Sequence, residues 1–370
     1  MGLFGGTPKV SVGLDIGNAW VKMVQMTISG SGRPSVTKIA CEKNVSDARS
    51  AVSKILRENT INPSKTTIVV SLDGQDTEMI INEFPAKNIT EASKQAELKM
   101  KEFDTMNYAI SFSPLRGPVI SADGNSVFPV LYVSAEKSKV ETFQNQMREC
   151  GIPLDGLVLD IDVLAAVNAL EIDQNGMGSV CLIEGGALTT NISVLNDGVL
   201  RYTTTIKDDG GAVITSNVAR EIGISRDEAE KMKLNDGISF SNSGSRGGLS
   251  LELTGLDLND AASSGDDMQK KYFNAIKSEF ERYFDKIVQV LKNYEEQFPG
   301  NKVNDIVLTG GLACVKNISG FMTNYLKNNG LAINAVAIGD SPYLSSLNCP
   351  DEERQVYTVA LGLALRGLAE

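Results

Sequence analysis

Val10-Ser-Val-Gly-Leu-Asp15-Ile-Gly17-Asn18-Ala-Trp-Val-Lys22-Met-Val-Gln-Met26 is the stretch from which the fold of this chain is best predicted. Apolar residues alternate along residues 10–14 and again along 20–26, which predicts the two strands of a hairpin. The turn between them holds a carboxylate, a glycine and a small polar residue. Such a turn can bring backbone N–H groups to a phosphate while Asp15 holds Mg²⁺ through water. Taken alone, the stretch is better explained by an ordinary hairpin with a surface turn.

Composition limits the classes of protein that this chain can belong to. Its 370 residues predict two domains, or one bilobed fold with insertions. The net charge of −11 argues against a nucleic-acid groove, because such surfaces are basic. No signal peptide and no apolar run near the ~20 residues of a membrane span occur, so we expect a soluble protein.

Missing residue types exclude several chemistries. The sequence has no histidine, which removes Ser-His and Cys-His nucleophiles and histidine-based metal sites. Its 5 cysteines form no CxxC pair, which predicts reduced thiols rather than disulfides or zinc ligands. No GxxxxGK[ST] motif is present, so a nucleotide would have to be bound by another architecture.

The opening pattern recurs in the second half. The apolar run from Gly178 to Ile183 predicts a buried strand, and it ends at Glu184-Gly-Gly186-Ala187-Leu188-Thr189-Thr190-Asn191. Strand, carboxylate, glycine-rich turn and strand follow in the same order as before. Two such hairpins, about 170 residues apart, indicate duplicated halves that face each other across a cleft.

Two further glycine pairs stand beside predicted helices. A buried strand from Val303 ends in Thr309-Gly310-Gly311 before a helix that we expect from about Val315, and Gly310 and Gly311 would let the backbone lie flat against a base or ribose. A generic strand-to-helix turn would look the same. Asp208-Asp209-Gly210-Gly211 opens another predicted helix.

A block of helices and strands follows the first strands. We predict strands at Thr66–Leu72 and Thr77–Phe84, and then a self-contained unit from Ile89 to Pro153 that begins with a helix capped by Thr90. Its position predicts an inserted subdomain. Residues 235–267 are rich in Gly, Ser and Asp and predict a mobile loop, with one possible strand at Leu249–Leu253.

The three glycine turns, in this order, resemble the phosphate 1, phosphate 2 and adenosine motifs of the actin and sugar-kinase superfamily. The early insertion, the segment Val158–Ala165 and the ending Val359–Leu368 are similar to the FtsA/PilM branch. FtsA proteins would be expected to end in a basic amphipathic tail, which this sequence lacks, so the PilM family of type IV pilus assembly is the better match. The resemblance implies an α/β fold of the duplicated, actin-like (ribonuclease H-like) type with an inserted α+β subdomain.

The resemblance also implies a division into domains. The first actin-like domain would comprise residues 1–85 with 154–180 and 350–370, and the inserted subdomain residues 86–153. The second domain would comprise residues 181–210 and 300–349. Residues 211–299 would flank the nucleotide and carry the insertion at 235–267.

A site for ATP and Mg²⁺ follows from the same resemblance. The metal would be held through waters by Asp15 and Glu184, although the family usually has Asp at the second position, so hydrolysis does not follow from binding. The phosphates and the nucleoside would be bound by Gly17, Asn18, Gly186, Ala187, Leu188, Thr189, Gly210, Gly211, Gly310 and Gly311, and the ribose by Glu230 and Lys233.

Several charged residues have two interpretations. Lys22 either supplies positive charge to the phosphates or forms a salt bridge. Asp162 either orients an attacking water or begins a helix, and the second reading is favoured. Asp160, Asp208 and Asp209 are as easily explained as solvated carboxylates.

The resemblance implies a partner as well as a cofactor. PilM-like proteins bind the N-terminal cytoplasmic peptide of a PilN-like inner-membrane protein, in a groove expected between the strands near Ile68–Phe84 and the unit Ile89–Pro153. Pilus motor ATPases and a homo-oligomer or ring are further expectations; nucleic acid and direct membrane insertion are not. The protein would sit at the cytoplasmic face of the inner membrane through its partners. An FtsA-like or plasmid-type filament former is the alternative, and a small-molecule kinase is less favoured because no substrate-pocket signature is present.

Overall fold

The structure is a computed structural model that describes residues 9–29, 32–44, 47–115, 117–121, 123–170, 178–238, 264–337 and 343–370. The possible strand at Leu249–Leu253 and most of the predicted mobile loop lie outside these residues.

The opening hairpin is confirmed. Strands β1 (Lys9–Ile16) and β2 (Trp20–Ile28) pair antiparallel and place Asp15 opposite Lys22. A third strand that the sequence analysis missed, β3 (Ser35–Lys43), pairs with β2 and extends the hairpin. Helix α1 (Ala48–Glu58) follows, and then β4 (Thr67–Leu72), which pairs parallel to β1.

The inserted unit is a small sheet with two helices. Its elements are β5 (Thr77–Phe84), α2 (Ile89–Lys99), β6 (Tyr108–Pro114), β7 (Val119–Ile120), β8 (Ser126–Glu136) and α3 (Lys137–Glu149). The main order is β5-β8-β6, and β5 pairs with β8 along its whole length. The predicted boundary at residue 85 assigned β5 to the first domain, but β5 pairs within the inserted sheet. This pairing favours a domain boundary before Thr77. The cap of α2 is Asn88 rather than Thr90, because the Asn88 side chain accepts the Glu91 N–H at 2.9 Å.

The chain then returns to the first sheet and builds the second. Strand β9 (Leu157–Ile161) pairs with β4, and α4 (Asp162–Leu170) follows. The remaining elements are β10 (Ser179–Gly185), β11 (Thr190–Asn196), β12 (Val199–Ile206), α5 (Gly211–Ile222), α6 (Arg226–Asn235), α7 (Ser264–Gln297), β13 (Val303–Thr309), α8 (Ile318–Asn328), β14 (Asn334–Ala337) and α9 (Thr358–Ala369).

The two five-stranded sheets have equivalent topologies. The first has the order β3-β2-β1-β4-β9 and the second β12-β11-β10-β13-β14. In each, three antiparallel strands are followed by two strands parallel to the first. The prediction of duplicated halves is therefore confirmed, and the first turn of each half lies at the same end of its sheet.

Two helices fill the cores. In α7 the aromatic stripe is core, as predicted, with Phe280 and Phe284 fully buried against the second sheet. In α9 nearly every side chain from Val359 to Ala364 is buried, because the helix lies between the first sheet and α4. None of the described helices is both long enough and apolar enough to cross a membrane.

Candidate functional site

The second and third turns contact each other through glycine. Gly310 has φ 76°, and a Cβ atom there would lie 2.7 Å from the carbonyl oxygen of Gly185 and 2.9 Å from Glu184 Oε1. A side chain would therefore be strained in its backbone and would also collide with the neighbouring turn. The sequence motifs at β10 and β13 thus form one continuous surface.

The first turn is closed by an ion pair. Lys22 Nζ lies 2.8 Å from Asp15 Oδ2, so Lys22 takes the salt-bridge interpretation. Burial acts to lower the pKa of Lys22, but the attraction of Asp15 outweighs it and the pKa is raised. A Cβ atom on Gly17 would lie 3.0 Å from the Trp20 carbonyl oxygen and 3.2 Å from Lys22 Nζ, so the turn is closely packed.

The donors that remain for a phosphate are fewer than predicted. The N–H of Gly17 donates to the Trp20 carbonyl at 3.0 Å and that of Gly186 to the Thr189 carbonyl at 2.9 Å. Within the described part of the chain, no hydrogen bond occupies the N–H of Ala187 or Leu188. These two groups are left for a ligand, whereas the N–H groups of Gly17 and Gly186 are bound within their own turns.

Gly210 and Gly211 support the second turn directly. The N–H of Gly211 donates to the Gly186 carbonyl and that of Ala212 to the Ala187 carbonyl, both at 2.9 Å. A Cβ atom on Gly210 would lie 2.6 Å from the Ala187 carbonyl oxygen. The start of α5 therefore fixes the second turn, and a role of these glycines beside a nucleoside stays a prediction.

One amide connects carboxylates from the two halves. Asn191 Nδ2 donates to Asp162 Oδ2 at 2.8 Å and to Glu184 Oε2 at 2.9 Å, while Asn191 Oδ1 accepts from Thr205 at 2.7 Å. Burial raises the pKa of Glu184 to about 8, and Asp162 and Asp15 add to the rise. Burial likewise raises the pKa of Asp162 to about 6. Negative charge is therefore under-compensated here, an environment that favours a bound cation.

Asp162 also takes part in local helix structure. Its Oδ1 accepts the Val163 N–H at 2.8 Å at the start of α4, while Oδ2 reaches Asn191. Both interpretations of Asp162 made from the sequence are thus compatible with its position. Among the described residues, no group of three or more acidic, cysteine or histidine side chains is placed to hold a metal directly. Retention of Mg²⁺ through water by Asp15 and Glu184 stays a prediction.

Lys233 and Glu230 are brought together at α5. Lys233 Nζ donates to the Gly211 carbonyl at 2.9 Å, to Thr215 at 2.8 Å and to Glu230 at 2.8 Å. Burial lowers the pKa of Lys233. Lys233 is thus a buried link between α6 and α5, and the Glu230 side chain, 43% exposed, is the better placed of the two for a ligand.

The interpretation as solvated carboxylates, which the sequence left open for Asp160, Asp208 and Asp209, is wrong for two of the three residues. Asp209 is fully buried and pairs with Arg282 and Lys286 of α7, each at 2.7 Å. Burial acts to raise its pKa, but these cations hold the pKa below its usual range. Asp160 is also largely buried, with its side chain 11% exposed. Asp208 is exposed, as expected.

Sequence reasoning missed the loop that joins the halves. Asn18 Nδ2 donates to Asp73 Oδ2 at 3.0 Å, and a Cβ atom on Gly74 would lie 3.0 Å from Asn191 Oδ1. Asp73-Gly74 lies between the strands predicted at Thr66–Leu72 and Thr77–Phe84, and the sequence analysis gave it no role at the site. Its position after β4, the strand parallel to β1, is the signal that could have placed it beside the first turn.

A second feature is a groove of about 1130 Å³ beside β9, the edge strand of the first sheet. Its walls are β6, β8, β9, α4, α9 and the β11–β12 turn. Most of its lining residues are apolar, and Asp160 and Arg366 are among the polar ones. In the described sheets β6 and β9 are outermost strands. The groove was expected beside residues 68–84. All of these residues are described, and among them only Leu72 lines the groove. The wall predicted there is formed instead by β9 and α4, because β5 pairs within the inserted sheet.

The duplicated sheets and the three turns define the actin-like ATPase fold, and the comparisons with solved structures agree. A chain of the PilM-PilN type IV pilus biogenesis complex matches with a TM-score of 0.68 at 16% identity, covering 97% of this chain and 98% of that one. Diol dehydratase-reactivating factor in its nucleotide-free form matches with a TM-score of 0.53 at 10% identity, covering 98% and 100%.

The family follows from the sequence comparisons. A family model described as type IV pilus assembly protein PilM matches residues 13–242, more than half of the chain, so the chain belongs to that family. The model of cell division protein FtsA matches residues 181–359. FtsA of Neisseria meningitidis serogroup B is 26% identical over 190 residues, which are 51% of this chain and 44% of that protein. The chain thus spans less than half the length of the curated relatives that it matches.

Proposed function

We propose that this chain is an ATP-binding assembly protein of a type IV pilus or a related secretion machine. In this proposal it holds Mg²⁺ and ATP between its three turns. It also binds the N-terminal cytoplasmic peptide of a PilN-like inner-membrane protein in its groove, and so sits at the inner face of that membrane. The observation that best supports nucleotide binding is that Asp162 and Glu184, from the two halves, both accept hydrogen bonds from the side-chain amide of Asn191, beside the three turns.

The residues present fit a nucleotide with a divalent cation. Oxygen ligands suit Mg²⁺. Burial, with Asp162 and Asp15 adding to it, raises the pKa of Glu184, so a cation beside Glu184 would stabilise the ionised carboxylate. The N–H groups of Ala187 and Leu188 are oriented by the backbone bonds from residues 209–212 and can bind phosphate oxygens. When bound, the cation would supply charge neutralisation for the phosphates. The tight glycine turn at residue 310 leaves the backbone surface flat for the nucleoside.

Replacing Asp15 by alanine should weaken ATP binding in Mg²⁺ by ten-fold or more, about 1.4 kcal/mol at least, because one water-mediated metal anchor is lost. Calorimetric titration of wild type and variant measures the change. Asp123→Ala, an exposed position on the inserted subdomain, is the matched control. Since Lys22 loses its partner in the variant, a thermal melt must show that it folds. Equal affinities in Mg²⁺ would contradict the role given to Asp15.

Glu184→Asp should raise ATP turnover without greatly changing binding. The longer glutamate side chain reaches Gly310 and shares the Asn191 amide, and Mg²⁺ tolerates little departure from octahedral geometry. Aspartate would withdraw the carboxylate by one methylene, to the length usual in the family. A phosphate-release assay measures turnover, with Asp162→Asn compared to learn whether Asp162 orients the water. An unchanged rate would show that the glutamate is not what limits hydrolysis.

The groove suits an extended peptide. Most of its lining residues are apolar, and a concave surface of this kind can accept the apolar side chains of a partner while a few polar groups orient it. The outermost strand β6 lies along it, so a peptide can add a strand to that edge while alternate side chains enter the groove. The groove and the edge of β6 support a PilN-like partner. Binding of pilus motor ATPases and assembly into a ring stay predictions.

One observation favours a second candidate. The match of the FtsA model to residues 181–359 supports an FtsA-like protein that forms filaments. Sedimentation with and without ATP separates the two proposals. ATP-dependent pelleting at micromolar protein would favour the filament, and a protein that stays in the supernatant while binding ATP would favour the pilus proposal.

A further inference from the structure

Asp160 is a carboxylate in the wall of the groove whose charge is incompletely matched. It lies on β9 and lines the groove, with its side chain 11% exposed. Oδ1 accepts the Ile161 N–H at 2.8 Å, while the nearest cation to Oδ2 is Arg366 Nε at 3.9 Å. That separation is too long for a hydrogen bond. Arg366 is instead held by Glu370, at 2.6 Å from its Nη2.

The surroundings leave this carboxylate short of a partner. Within the described residues, no hydrogen bond reaches Asp160 Oδ2. Burial raises the pKa of Asp160, the Ile161 N–H and Arg366 oppose the rise, and Glu370 adds to it. A buried carboxylate is costly unless it is paired, so a cation entering the groove would gain more here than on open surface.

We propose that Asp160 is the specificity-determining residue of the groove, and that it selects an extended segment carrying one basic side chain among apolar residues. The inference rests on the proposed function, because it requires such a segment in the groove. Outermost strands line both sides, β6 and β9, so a segment added along β6 brings alternate side chains towards β9 and Asp160.

An acidic segment fits less well. Arg366, the cation of the groove, is 43% exposed and already paired with Glu370, whereas Asp160 is deeper and its nearest cation, Arg366 Nε, lies 3.9 Å away. A segment bearing carboxylates would meet both Asp160 and Glu370, on a chain whose net charge is −11. The charge that remains to be complemented is therefore negative.

The test uses the full chain and a displayed library of random segments of about ten residues, enough for one strand. Selection should enrich Lys or Arg at one position flanked by apolar residues. A selected peptide and its norleucine counterpart are then titrated against wild type, Asp160→Asn and the control Asp155→Asn, an exposed carboxylate outside the groove lining. We expect Asp160→Asn to lower the affinity for the basic peptide by about ten-fold or more and to leave the affinity for the norleucine peptide unchanged. Asp155→Asn should change neither.

Two further variants separate the possible failures. Arg366→Gln should raise the affinity for the basic peptide or leave it unchanged. Weaker binding would mean that Arg366 pairs with the peptide and would overturn the inference. If Leu164→Asp in the groove abolishes binding but Asp160→Asn does not alter it, the inference fails and the proposed function stands. If no peptide is selected, or if Leu164→Asp leaves binding intact, the groove is not the peptide site and both fail.

Discussion

Leu164→Asp should abolish capture of the PilN-like partner's cytoplasmic peptide, with a loss of affinity of about 100-fold or more, while ATP binding is retained. Leu164 lies on α4 in the lining of the groove, and a carboxylate there would have to be desolvated by an apolar peptide. The measurement is a pull-down with the immobilised peptide, followed by titration. Leu98→Asp on the same protein is the matched control, because Leu98 is 62% exposed on α2 and does not line the groove.

Undiminished capture by the Leu164 variant would place the partner elsewhere and would favour the filament-forming alternative. A point substitution is a cleaner test than deletion of residues 89–150. The deletion would remove β8, the strand with which β5 pairs along its whole length, and would expose the edge of β5.

Gly362→Ala should lower the free energy of unfolding by about 3 kcal/mol, at the upper end of the usual cost of overpacking. A Cβ atom on Gly362 would lie 1.7 Å from the carbonyl oxygen of Ala165 and 2.4 Å from its carbonyl carbon. These are backbone atoms of α4, so the clash can be relieved only if α9 and α4 move apart. Urea unfolding of wild type and variant measures the change.

The control for this prediction is Gly320→Ala. Gly320 lies inside α8, and a Cβ atom there would meet nothing within 4 Å. Alanine should stabilise that helix slightly, since glycine is the poorer helix former. A loss below about 1 kcal/mol for Gly362→Ala would show that α9 can shift at little cost.

Local patterns were sufficient to predict most of the fold. The hairpins at Asp15 and Glu184 were readable because alternation and a glycine turn lie within one short stretch, and their repetition indicated the duplication. The capping box of α6 at Ser225 and the left-handed end of α5 at Gly223 are local features of the same kind, because each is formed by residues close together in the sequence. Strand β3 was missed because it is only partly buried and its apolar residues do not alternate strictly.

What the sequence could not supply were partners from distant parts of the chain. Nothing near Asp209 predicts that α7 brings Arg282 and Lys286 to it, so a buried ion pair was taken for a solvated carboxylate. The pairing of β5 with β8 likewise depends on tertiary contacts. At the site, the sequence analysis gave Asn191 no role. Its amide bridges carboxylates that are 29 and 7 residues away in sequence, which only the packed halves reveal.

The most direct test of the account is titration of the purified protein with ATP, in Mg²⁺ and again in EDTA, by calorimetry and by the fluorescence of Trp20. Trp20 is the only tryptophan of the chain and stands at the first turn, where its carbonyl accepts the Gly17 N–H. We predict saturable ATP binding at one site, with an affinity about ten-fold or more higher in Mg²⁺ than in EDTA, and a change in Trp20 fluorescence. Absence of binding by calorimetry at millimolar ATP, or the same affinity in Mg²⁺ and EDTA, would contradict it.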